Sequence, residues 1–136
     1  MLSVHDIPGA HSQAGTLPKL ADKTVGDNVV MVAPWKCKIR RVNVIATSAW
    51  AGVGSASNYN NLVLSTVISG TKVAVGTICG SISGTPVLAN TETPVYAPTT
   101  YPTLQEGDCL ILGVGTVGAG SNAAPAFTTR AIFEGA

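Results

Sequence analysis

Charge is scarce in this chain. Of 136 residues only 11% are charged, against about 25% in ordinary soluble domains. Aromatic residues are scarcer still at 5%, so Val, Ile, Leu and Ala must fill any core. The net charge of +1 argues against a general attraction to nucleic acid or to an anionic membrane, for which a strongly basic face is expected. No apolar run approaches the ~18 residues of a membrane span. The three cysteines, Cys37, Cys79 and Cys109, are odd in number and lack CxxC spacing, which excludes a disulfide framework and a zinc site as expectations. Cys37 and Cys109 sit in strand-like runs, where a thiol acts as a small hydrophobe. The sequence starts with no basic region followed by an apolar block, so no secretory signal is visible. Synthesis in a reducing cytoplasm is the expectation. Also missing is any amphipathic helix with caps and sustained periodicity.

What the chain has in abundance is strand and turn chemistry. "NVVMVA" (28–33) is a short apolar run stopped by Pro34. In "WKCKIRRVNVIATSAW" (35–50) Trp35, Cys37 and Ile39 share one parity and Lys36, Lys38 and Arg40 the other. After Arg40 the apolar parity flips to Val42, Val44 and Ala46. A strand alternates faces at every residue, so the flip predicts a bulge at Arg40 and Arg41 that turns all four cations outward. "AGVGSASNYNN" (51–61) reads as a loop. "LVLSTVIS" is apolar on both parities, as in a strand covered on two sides. A tight turn at Ser69-Gly70 separates it from "TKVAVGTI". Pro86, Pro94, Pro98 and Pro102 confine any strand between Cys79 and Thr103 to a short or peripheral one. "GDCLILGVG" opens on a turn and continues as a core strand. "AFTTRAIFE" places Phe127, Thr129, Ala131 and Phe133 on one face.

At least six strands joined by Gly, Ser and Pro loops predict an all-β antiparallel sandwich or barrel in one domain. The first two dozen residues, with both histidines and no sustained period, read as an extended N-terminal arm over 1–24 ahead of a β-sandwich domain over 25–136. On this reading the domain folds without the arm, and the arm orders against a neighbouring subunit.

Chemistry is hard to place. His5, Asp6 and His11 match no rigid ligand geometry, so no metal is expected. Glu106 and Asp108 in "QEGDCL" read as a polar turn launching a strand. "GVGTVGAG" (113–120) lacks both the GK[ST] ending and the helix that a phosphate loop requires. No catalytic residue, enzyme activity or cofactor is expected. The cations Lys36, Lys38, Arg40 and Arg41, half of the eight Lys and Arg, have few basic companions for nucleic acid. Trp35 shares the inward parity, so it offers no stacking platform. A charged row of this kind faces water or protein and also discourages edge pairing.

The order "VAPWKCKIRRVNVIA", polar loop, "NYNNLVLSTVISGTKVAV", "LQEGDCLILGVGTVGAG" and "AFTTRAIFE" spans 32–134. It resembles the small all-β decoration (cement) proteins of tailed-bacteriophage capsids. The likeness lies in a proline-led first strand, a tyrosine-bearing loop before a Leu-rich strand, and a "GD.L.L" strand followed by a glycine loop. The resemblance implies a jelly-roll-like sandwich on the virion surface, made in the host cytoplasm. It would bind the outside of an assembled shell, bridge adjacent major capsid protein subunits and act as a homo-oligomer, trimeric or dimeric. It implies no catalytic residues. His5, Asp6, His11, Lys19, Lys36, Lys38, Arg40 and Arg41 are the candidate partner contacts. The alternative is a receptor- or carbohydrate-binding head or tail fibre domain, reading its ligand through Trp50, Tyr59, Tyr96 and Tyr101.

Overall fold

Parity and turn chemistry carry over into a computed structural model that describes residues 9–19, 26–50, 57–79, 87–118 and 124–136. Among them are nine strands: β1 (Ala10–Leu17), β2 (Gly26–Val32), β3 (Cys37–Ala46), β4 (Tyr59–Ile68), β5 (Thr71–Cys79), β6 (Glu92–Tyr96), β7 (Thr103–Leu104), β8 (Cys109–Val117) and β9 (Phe127–Gly135). They form two antiparallel sheets. The first runs β1-β9-β3-β6, with β7 pairing the start of β3, and the second runs β2-β8-β4-β5. With β1 beside β2 at one edge and β5 beside β6 at the other, the two orders match strand for strand: β1 over β2, β9 over β8, β3 over β4, β6 over β5. Sequence neighbours therefore face one another across the core, the order of a jelly roll.

Local chemistry explains the joints. Ser69 and Gly70 both have positive φ, 50° and 79°, and Ile68 pairs Thr71 directly. That is the two-residue hairpin whose twist suits the flanking strands. Asp108 anchors the turn before β8, its carboxylate accepting from the Gln105 amide at 2.9 Å and the Ser69 amide at 3.1 Å. The acid at Asp108 is thus a turn residue. β6 is five residues long, carries Pro94 and lies at a sheet edge, as its proline requires. Tyr59–Asn61, read from composition as loop, instead begins β4.

The arm boundary needs correction. Ala10–Leu17 is the edge strand β1, in unbroken register with β9 from Ala10↔Glu134 to Leu17↔Phe127. Leu17 is buried in the core. The Gln13 side chain donates to the Val32 carbonyl at 3.0 Å and accepts from its amide at 3.3 Å, while Asn28 donates to the Thr16 carbonyl. These bonds stitch the two sheets together along one edge.

Aliphatic residues occupy the middle of the core, among them Ile39, Leu62, Leu64, Leu104, Leu110 and Leu112. The few aromatic rings close its ends. Trp35 and Phe133 meet at 5.8 Å at one end, and Trp50 and Phe127 at 5.7 Å at the other. Cys37 is fully buried, and burial pushes its thiol pKa up, so it behaves as a hydrophobe and not as a nucleophile.

Candidate functional site

The parity flip in β3 is a bulge. Ile39 pairs Phe133 and Arg41 pairs Ile132, which leaves Arg40 opposite no residue of β9. Without that extra residue Arg41 would point into the core, where an unpaired cation is costly. With it, Lys36, Lys38, Arg40 and Arg41 are all exposed while Ile39 and Val42 stay buried. Four cations thus share the outer face of the first sheet.

The bulge also opens the neighbouring edge. β6 pairs the stretch of β3 from Val42 to Ile45, and β7 pairs Cys37 and Lys38. Between these the chain from Ala97 to Pro102 detours past Ile39, Arg40 and Arg41, pinned by the Ile39 amide donating to the Pro102 carbonyl at 3.0 Å. The detour leaves a cleft of about 400 Å³ lined by Arg40, Arg41, Ala97, Pro98, Tyr101 and Ile132. The Arg40 guanidinium lies 5.8 Å from the centre of the Tyr101 ring, within cation–π range.

The same face carries a completed charge pair. Arg130 donates through Nε and Nη2 to the two carboxylate oxygens of Glu92, and Asn43 donates to Glu92 at 3.1 Å. The Arg130 and then the Asn43 hydrogen bonds hold the Glu92 carboxyl below its ordinary 4.5. A depressed carboxylate stabilises the fold above its unfolded pKa, and that contribution disappears as pH falls through the folded value. Glu92→Gln is therefore expected to lower Tm near neutrality, with the gap to wild type closing as pH drops below 4.5. Tm measured against pH for both proteins checks this; a gap independent of pH would contradict it.

Other candidate residues scatter. His5 and Asp6 lie outside the described residues. His11 sits in β1, half-buried, its ring 5.4 Å from Trp35 and 5.8 Å from Phe133. It is part of the core's aromatic end and not of a free arm. Lys19 is exposed just beyond Leu17, level with Phe127, so it lies at the opposite end of the sheet from Lys38, which is level with Glu134. Trp50 is 3% exposed, paired with Val87 and set against Phe127. That burial removes it as a recognition residue. Tyr96 packs against the core, and burial raises its pKa. Tyr59 and Tyr101 are half-buried. Among the described residues no cluster of three His, Cys, Asp or Glu could hold a metal. The first part of "GVGTVGAG" is the end of β8, where Gly113 and Gly115 make room for the Asp27 and Asn61 side chains.

One surface escaped the sequence reading. β4 was expected to be covered on both sides, yet Val63 and Val67, on the face away from the core, are only half-buried. Beside them stand Cys109 and Ile111 of β8, and on β2 Val29 is 56% and Val32 49% exposed. The two outer faces of the sandwich therefore differ: one carries four cations, the other an apolar patch beside the Lys72–Asp27 ion pair, 2.7 Å between Nζ and Oδ2. No protein-family model matches the chain, and no curated protein is similar to it in sequence.

Proposed function

We propose that this protein is a structural virion protein that binds the outer surface of an assembled tailed-phage capsid and stabilises it by bridging adjacent major capsid protein subunits. The observation that supports this reading is the pair of unlike outer faces. An apolar patch with valines half exposed to water, rimmed by the polar Lys72–Asp27 pair, suits a protein cover. In this reading further copies of the same chain supply it, as a trimer or dimer. Such an oligomer carries several copies of the cationic face, and each can grip a different capsid subunit. Binding that requires neighbours to stay together adds its free energy to the cohesion of the shell. Repetition around the oligomer turns a modest contact into a strong one.

The jelly-roll order accords with this use, since it also builds capsid domains, although the fold alone assigns no function. The receptor- or carbohydrate-binding alternative has less to draw on, because Trp50 is buried and Tyr96 packs inward. Co-sedimentation separates the two. Purified protein is mixed with expanded, empty tailed-phage capsids and, separately, with bacterial cells. Pelleting with the capsids is expected; pelleting with cells alone would contradict the proposal.

A further inference from the structure

The cleft beside the arginine bulge has a chemistry of its own, which does not depend on the capsid reading. Arg130 indicates what this face does with a carboxylate: one guanidinium edge, Nε and Nη2, is taken by the two oxygens of Glu92. Arg41 makes no hydrogen bond or salt bridge among the described residues, and its one carboxylate interaction is a longer-range pull on Glu92, which Arg130 already holds. Arg40 has only a loose contact with Glu134, 3.8 Å between half-exposed side chains, longer than a hydrogen bond. Two guanidinium groups thus stand on one wall of a cleft without a carboxylate in bonding geometry. The remaining lining is apolar: Ala97, Pro98, Ile132 and the Tyr101 ring.

We infer that this cleft is a socket for a single protein carboxylate, a Glu or Asp side chain on an extended segment of a partner, with an apolar neighbour resting on Pro98, Tyr101 and Ile132. Size and charge both select this class. A volume of about 400 Å³ holds one or two side chains, at the small end of ligand sites. Arg40 and Arg41 bring two positive charges to this wall, offset only in part by the loose contact with Glu134 and by the longer-range pull of Glu92 on Arg41, so a carboxylate is attracted there. Arginine is suited to the task because its planar fork binds a carboxylate through two parallel hydrogen bonds. The detour at 97–102, held to β3 by the Ile39–Pro102 bond, leaves Arg40 and Arg41 without a partner in β6 or β7, so their side chains are open to an incoming segment.

The test titrates the full-length, isotope-labelled protein with a blocked pentapeptide bearing one glutamate between two leucines. The same peptide with glutamine and a short oligothymidylate serve as comparisons. NMR follows the Arg Nε–H signals. The glutamate peptide is expected to shift the Arg40 and Arg41 signals and leave that of Arg130 in place, with the glutamine peptide at least tenfold weaker. Arg41→Gln should weaken glutamate-peptide binding about tenfold at unchanged Tm. Arg41→Lys keeps the charge, loses the fork and should fall between. Failure of the glutamate peptide to bind, equal binding of the glutamine peptide, or unchanged affinity in both variants would overturn the socket. Oligothymidylate binding more tightly than the glutamate peptide would overturn it in favour of a polyanion site. None of these outcomes touches the co-sedimentation result, so the socket and the capsid reading stand or fall separately.

Discussion

Deleting residues 1–17 is expected to abolish cooperative unfolding. The deletion removes β1, and with it the whole ladder to β9 and the Gln13 and Asn28 bonds that tie the two sheets at that edge. It also takes Leu17 out of the core. Truncating one buried leucine to alanine already costs about 2–5 kcal/mol, and each backbone hydrogen bond lost adds about 0.5–1.5 kcal/mol. Against a total stability of about 5–15 kcal/mol, these losses together leave little. Circular dichroism should show a broad, non-cooperative melt for the truncated chain. A sharp transition near the full-length Tm would restore the segment to the status of a dispensable arm.

The second large effect is expected from Gly76→Val, at the opposite edge. A Cβ at Gly76 would collide with the backbone carbonyl of Val95, where β5 passes beside β6. Gly76 is not among the positive-φ glycines, so space is the only requirement there. Overpacking of this kind costs typically about 1–3 kcal/mol, and because the obstacle is backbone the upper end is expected. That corresponds to a Tm lower by roughly 5–10 °C. Gly70→Ala is the matched contrast: its φ is +79° but nothing lies within 4 Å of the added carbon, so only local strain in the turn results. Equal Tm values for wild type and Gly76→Val would contradict the close approach of the two strands.

Gly15 plays the same part at the first edge, where a Cβ would come within 2.6 Å of the Val30 backbone. That contact explains why β1 was invisible in the sequence. Its inward positions are His11, Gln13, Gly15 and Leu17. Only the last is apolar, because a glycine that admits β2 and a glutamine that bonds to its backbone replace the usual core side chains. Period-2 hydrophobicity had nothing to register. By contrast the Arg40 bulge, the Ser69-Gly70 turn, the peripheral β6 and the core strand β8 were all legible. Each is set by residues within a few positions: a parity flip, a turn pair, a proline, a Gly-Asp start.

The candidate site divides in the same way. The outward cations follow from local alternation and were readable. The cleft depends on β6 and β7 pairing different stretches of β3, a long-range register that no local pattern encodes. Trp50 had no strand pattern around it. Its burial comes from pairing with Val87 and contact with Phe127, both far along the chain. The apolar outer face lay in plain view as "NVVMVA" and "LVLSTVIS", but two-sided hydrophobicity does not say whether the second cover comes from the same chain.

The central claim is that two unlike faces let an oligomer of this chain span neighbouring subunits of a shell. A cryo-EM map of expanded capsids incubated with the purified protein tests it most directly. Clustered copies are expected over the junctions between adjacent major capsid subunits, with Lys36, Lys38, Arg40 and Arg41 toward the shell and Val29 and Val32 between copies. Isolated copies bound within single capsid subunits, or capsids left bare, would contradict it.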